Sequence, residues 1–201
     1  MDPDLSLATR LAADLDGSFG ALVTAHQDRL YTIALRLLGE PRDAEEVAQD
    51  TLVRAYRAIA GYEADRISGL RLRPWLASIA VNLARNRRRR FAERHPPIRL
   101  EAIVDSALEP ARADHRAGPH ERAARHETIG TLAAAIGLLP PGLRAAVILR
   151  HVDGMSIAEV AAALDRPEGT VKSDVSRGLA RLRLHLAADP DLAPRRKELS
   201  A

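Results

Sequence analysis

Apolar residues in this chain recur at the spacing of an α-helix in two long blocks, and nowhere at the alternating spacing of a strand. That regularity confines the fold to helix packed on helix, an all-α protein. In the first block Phe19, Leu22, Val23, Leu30, Ile33, Ala34 and Leu37 predict a helix over 18–38. Gly39 stops it and Pro41 opens the next, whose inward face carries Ala44, Val47, Ala48, Thr51, Leu52, Ala55 and Ile59. Residues 61–69 read as a loop. A third helix over about 74–90 turns Trp75, Leu76, Ile79, Ala80 and Leu83 inward and ends in a run of arginines. Periodicity then lapses, and Pro96, Pro97, Pro110 and Pro119 punctuate a stretch that reads as a flexible linker over 92–120. Helices resume over 121–139, 142–152, 156–164 and 167–186. The expected architecture is two small helical domains, 18–91 and 121–187, on a flexible tether, with an N-terminal extension over 1–17 and a polar tail over 188–201.

The net charge of +3 conceals a strong asymmetry: residues 1–65 carry −6, whereas residues 66–99 carry +9. A local basic excess of that size is the footprint of a polyanion partner, and the acidic block before it must face something else. Among the 30 basic residues only Lys172 and Lys197 are lysines. The planar fork of arginine suits phosphates and guanine edges. The absence of cysteine excludes disulfides, thiolate zinc sites and cysteine nucleophiles. The seven histidines lack metal-ligand spacing and read as solvated residues, so neither a metal nor a cofactor is expected. The N-terminus lacks the features of a signal peptide, and the longest apolar run ends at Pro140-Pro141, too short to span a bilayer. A cytoplasmic protein without membrane insertion is the expectation.

The segment MSIAEVAAALDRPEGTVKSDVSRGLARLR has the layout of a helix-turn-helix. Ser156 and Glu159 form an S-x-x-E capping box before an apolar run. Ala158, Ala161 and Ala162 offer a small-residue face for a close helix crossing, and Pro167 can open the second helix without losing a hydrogen bond. On that helix Val171, Val175, Gly178, Leu179, Leu182 and Leu186 form the buried stripe, leaving Lys172, Ser173, Ser176 and Arg177 outward near its N-terminal half. A recognition helix presents its base-contacting residues there. The plain alternative is an amphipathic helix pair with a solvated charged face. Asp174 is the odd residue of this group. An acid beside phosphates costs affinity, but it can accept from cytosine N4 or orient Lys172 or Arg177.

In the first block the helix after Pro41 carries Asp43, Glu46, Gln49 and Asp50 on its polar face. A solvated face and a divalent-metal cluster are the alternatives to a docking surface. The metal is disfavoured because the carboxylates of Glu45 and Glu46 diverge by about 100° on a helix. All six aromatic residues lie in the first 91 positions, where stacking could hold a single strand, and none lies in the second block. Trp75 sits on an apolar stripe and reads as core, which leaves Tyr62 as the stacking candidate.

The runs PRDAEEVAQDTLVRAY, RPWLASIAVNLARNRRRR and LPPGLRAAVILRHVDGMSIAEVAAALDRPEGTVKSDVSRGLARLR, in this order, resemble the extracytoplasmic-function (ECF) group of bacterial RNA polymerase sigma factors. The resemblance spans 19–90, similar to sigma region 2, and 121–186, similar to region 4. It implies a non-enzymatic factor that binds core RNA polymerase and directs initiation at promoter DNA. By the same resemblance Asp43, Glu46, Gln49 and Asp50 contact core polymerase. Tyr62, Asn82, Arg85, Arg87 and Arg88 contact single-stranded −10 DNA, and Thr170, Lys172, Ser173, Asp174, Ser176 and Arg177 the −35 duplex. An anti-sigma factor is a further partner implied by the resemblance alone. Two departures stand out. The arginine-rich loop over 61–73 looks longer than the family pattern, and Asp174 replaces a residue that is basic in many members. A plain helix-turn-helix regulator and a resolvase-like recombinase are the rivals. The first gives the acidic helix no role, and the second needs a mixed α/β domain.

Overall fold

The computed structural model describes residues 3–94 and 130–188. Among these the chain is helical throughout, without a strand. The first lobe holds α1 (Pro3–Ala13), α2 (Leu15–Leu38), α3 (Pro41–Ile59), α4 (Ala64–Ser68) and α5 (Leu72–Arg94). The second holds α6 (residues 130–137), α7 (Pro141–Val147), which continues as a π-helical turn over Ile148–Val152, then α8 (Ile157–Leu164) and α9 (Glu168–Ala188). The linker expected over 92–120 lies mostly outside the described residues, as does the polar tail.

Local chemistry sets these boundaries. The Asp14 side chain accepts from the Gly17 N–H to start α2. Gly39 ends α2 in the left-handed conformation (φ 83°), donating its N–H to Leu35 O at 2.8 Å. The capping box holds as expected: the Ser156 N–H donates to Glu159 Oε2 at 2.8 Å, and the Glu159 N–H to Ser156 Oγ at 3.2 Å.

Three local expectations are corrected. Residues 61–69 are not all loop, because α4 forms there and buries Ile67. Residues 3–13 form a helix that buries Leu7, Ala8 and Leu11 against the first lobe. On α8, Ala158 and Ala162 are exposed, and the packed face is Val160, Ala163 and Leu164. The tight crossing lies elsewhere, at Gly178 on α9, where a Cβ would come within 2.4 Å of the Val147 side chain on α7.

The lobes do not stand apart. One hydrophobic cluster runs from Ile33, Leu37, Ala77 and Val81 of the first lobe into Leu139, Ile148, Leu149 and Met155 of the second. The π-helical turn and Gly154 (φ 72°) swing Asp153 across the boundary. Its carboxylate, 3% exposed, takes Nε and Nη2 of Arg29 from α2, with Arg73 Nη2 at 3.6 Å. Arg73 also donates to the Asp153 carbonyl, and Arg71 pairs with Glu159 at 3.7 Å. Arg71, just before α5, and Arg73, in its first turn, therefore meet the second lobe.

Beside this latch lies His26, which is not solvated as the sequence suggested but 4% exposed, with no hydrogen bond at either ring nitrogen and Asp4 at 3.6 Å. Burial, aided by Arg29 and Arg73 and opposed by Asp4 and Asp153, holds its pKa below the ordinary 6.5. The folded state thus takes up a proton at His26 less readily than the unfolded chain does as pH falls through 6.5. Stability must decline below that pH. Thermal unfolding at pH 7.5 and 5.5 should show a drop that is smaller in His26→Gln; an equal drop in both proteins contradicts this account.

Candidate nucleic-acid interface

Three exposed faces carry the residues singled out from the sequence. The first is the polar side of α3, built by a helix whose opposite side buries Ala44, Val47, Ala48, Thr51, Ala55 and Ile59. Gln49 and Asp50 are exposed there, with the Gln49 amide donating to Glu45 Oε1 at 3.3 Å. Asp43 and Glu46 are engaged otherwise, since each binds Arg87 of α5 at 2.6 Å. That hydrogen bond holds the Glu46 carboxyl below the usual carboxylate range. The structure thus joins two residues assigned to polymerase with one assigned to DNA. Sequence reasoning overlooked Val53, 47% exposed on the same side one turn beyond Asp50 and Gln49. The signal was present as an apolar residue off the buried stripe.

The second face belongs to α5 and the segment before it. Leu72, Leu76, Ala80 and Leu83 point inward, which leaves Asn82, Arg85 and Arg88 exposed. Asn82 and Arg85, with Ser78, line one wall of a groove, and the end of α8 and the turn after it, Ala162 to Arg166, line the other. Tyr62 is half-buried, not open: Arg66 lies 3.7 Å over its ring, and Trp75 is 6.3 Å away, tilted by 56°.

The third face is α9. Asp165 in the left-handed conformation (φ 51°) closes α8, and Pro167 leads into the next helix. Val171, Val175 and Leu182 anchor α9, with Gly178 against α7. Lys172, Ser173, Ser176 and Arg177 then form a single open patch, with Thr170 exposed beside it. Asp174 departs from this set. It is 5% exposed, with Arg177 Nη2 at 2.7 Å and Arg166 Nη1 at 2.8 Å on its two oxygens. A carboxylate so placed is an internal acceptor, and Arg166 enters the site as a residue the sequence did not single out.

Comparison with known proteins bears on the family and the fold. Residues 22–94 match the family profile of sigma-70 region 2, and residues 129–182 that of sigma-70, region 4. The chain is 36% identical over 172 residues to the ECF RNA polymerase sigma factor SigE of Mycolicibacterium smegmatis, covering 85% of this chain and 62% of that protein. It therefore spans under two thirds of that relative's length. It is 31% identical over 191 residues to the RNA polymerase sigma factor CnrH of Cupriavidus metallidurans, covering 94% and 97%. Among solved structures, CnrH in complex with the cytosolic domain of CnrY aligns over 94% of this chain and 99% of that one, with a TM-score of 0.66 and 28% identity. The sigma factor RpoE in complex with the anti-sigma factor NepR, from Bartonella quintana, aligns over 85% and 98%, with a TM-score of 0.64 and 25% identity. With region 2 and region 4 both matched and relatives of this group aligned over most of their length, the chain belongs to the ECF group of sigma-70 family RNA polymerase sigma factors, which direct promoter-specific transcription initiation.

Proposed function

We propose that the three faces divide the work of initiation among them. Gln49, Asp50 and Val53 dock on core RNA polymerase, an exposed acid and amide around an apolar contact. Asp43 and Glu46 reach the same partner only through the ion-paired surface they share with Arg87. Asn82, Arg85 and Arg88 take the non-template strand of the −10 element, Asn82 by its amide and the arginines by phosphate. Thr170, Lys172, Ser173, Ser176 and Arg177 enter the major groove at −35. No step in this reading is catalytic, and the factor acts in the cytoplasm, where promoters are.

The observation that carries the reading is the α9 patch: two hydroxyls and two cations on one open face, above a buried aliphatic stripe. Such a helix can meet both phosphates and base edges. The groove between α5 and α8 adds a condition, since Asn82 and Arg85 are faced there by the second lobe. The lobes therefore part when both promoter elements are engaged. An anti-sigma partner is in keeping with the NepR complex of the Bartonella relative.

Run-off transcription with core polymerase and promoters from the same genome tests the reading. Initiation should depend on this chain, and Asp50→Lys should weaken core binding about tenfold, roughly 1.4 kcal/mol. Failure to initiate at any such promoter removes the reading. Unchanged core affinity in Asp50→Lys removes Asp50 from the docking face.

A further inference from the structure

Asp174 sits in the middle of the helix assigned to −35 readout, yet its carboxylate is turned away from the open face. Each oxygen is occupied. Oδ1 accepts from Arg177 Nη2 at 2.7 Å and Oδ2 from Arg166 Nη1 at 2.8 Å. The two arginines differ in freedom. Arg177 is 66% exposed along its side chain, whereas Arg166, in the turn between α8 and α9, is about half as exposed, at 34%. Arg166 is further confined by α7, since a Cβ on Gly142 would lie 3.3 Å from its Nη1. The carboxylate thus ties the turn to the recognition helix and holds the guanidinium of an outward-reaching arginine from beneath.

We propose that Asp174 is a positioning residue for upstream-element readout, fixing Arg177 so that it reads one base pair rather than roaming among phosphates. This rests on the sigma-factor reading of α9 given above. An unanchored arginine on a helix surface samples many rotamers and meets whichever phosphate is nearest. Here one Nη2 hydrogen points to Asp174, and Nε lies 3.4 Å from the Ser173 carbonyl. The end of the fork, Nη1 and the second Nη2 hydrogen, is left for DNA. That pair of donors matches the O6 and N7 acceptors of a guanine. The charge acts in the same direction. One carboxylate between two guanidiniums leaves a local charge of one instead of two, so the patch attracts phosphates less and relies more on fit.

Positioning and a purely structural brace give opposite signs. Asp174→Asn keeps the shape and removes the charge. If Asp174 positions Arg177, the variant binds unrelated duplex more tightly, with a salt dependence steeper by about one unit, while its base preference falls. If Asp174 only braces the turn, all affinities fall together and the preference is kept.

The test uses holoenzyme, reconstituted from the full chain and core polymerase, transcribing a promoter library with a randomised upstream hexamer. Wild type should show a preference at one base pair that drops about tenfold in Asp174→Asn and returns in Asp174→Glu. In an Arg177→Ala background, Asp174→Asn should change that preference no further. Salt titration of the full chain on a mixed-sequence duplex pool gives the second reading. An unchanged preference in Asp174→Asn, or one retained in Arg177→Ala, overturns the proposal while leaving a sigma factor in place. The Arg177→Ala arm decides even where Asp174→Asn does not fold, because Arg177 is exposed. A wild-type holoenzyme that transcribes without any upstream preference overturns the −35 reading of α9 and this proposal with it.

Discussion

Asp153→Ala is expected to open the molecule. The substitution leaves Arg29, largely buried on α2, without its carboxylate, and deprives Arg73 of the same charge. Removing one partner of a buried ion pair costs about 3–5 kcal/mol, because the remaining charge stays desolvated and unpaired. Arg73 retains its hydrogen bond to the Asp153 carbonyl, so the effect should lie near the lower end, about 3 kcal/mol. At about 1.4 kcal/mol per tenfold, the ratio of closed to open chains falls about a hundredfold. Asp153→Asn, which can still accept from one arginine, should fall between. The chain has no cysteine of its own, so dyes can be placed through Arg57→Cys on α3 and Arg183→Cys on α9, both exposed positions. Energy transfer between them should drop in the order wild type, Asn, Ala, with a matching rise in the radius of gyration. The opened chain should also bind a single-stranded oligonucleotide more tightly, because Asn82 and Arg85 leave the groove that α8 closes. Unchanged transfer in Asp153→Ala would mean that the shared apolar cluster alone holds the lobes together.

Part of this arrangement was legible in the amino-acid sequence, and the dividing line is physical. Gly39, the Ser156–Glu159 box and the Val171–Val175–Leu182 stripe act within a turn or two of helix, so spacing alone places them. Periodicity assigns a residue to a face but does not say which helix that face will meet. Arg71 and Arg73 read as part of an arginine-rich loop near DNA, yet they meet Glu159 and Asp153 across the lobe boundary. Arg29 and Asp153 are 124 residues apart, and no local rule pairs them. The same limit hid the bond of Arg87 to Asp43 and Glu46, which were assigned to different partners. Asp174 is a subtler case. Its neighbours Ser173 and Ser176 are outward, and only the reach of Arg166 from eight residues earlier shows why an acid can be buried there. Helix α1 was missed for a simpler reason: Leu7, Ala8 and Leu11 make too short a stripe to stand out without the pocket they fill.

Arg144→Met should cost the folded state about 2–4 kcal/mol, counted from the carbonyls it would leave without a donor. Arg144 is 6% exposed and, among the described residues, pairs with no carboxylate. Its guanidinium donates to Leu37 O at 3.1 Å, to Leu139 O at 3.0 Å and to Gly137 O. Leu37 lies in the last turn of α2, Gly137 is the last residue of α6, and Leu139 follows two residues later. One cation therefore faces the negative ends of two helices from different lobes and satisfies carbonyls that no helical N–H can reach. Burial, with Arg88 nearby, pushes its pKa down to about 10, so the charge persists at neutral pH despite the desolvation. Methionine fills much of the volume and relieves that desolvation, which makes the substitution a fair comparison of the two effects. The carbonyls decide it, because an apolar side chain cannot replace their donors and each buried acceptor left bare costs about 1–3 kcal/mol. Arg144→Lys keeps the charge but reaches fewer of the three oxygens, and should lose about half as much. Urea unfolding of the three proteins gives the order directly. A loss below about 1 kcal/mol in Arg144→Met would show that relief of desolvation outweighs the carbonyls, and that α2 and α6 hold their positions without this bridge.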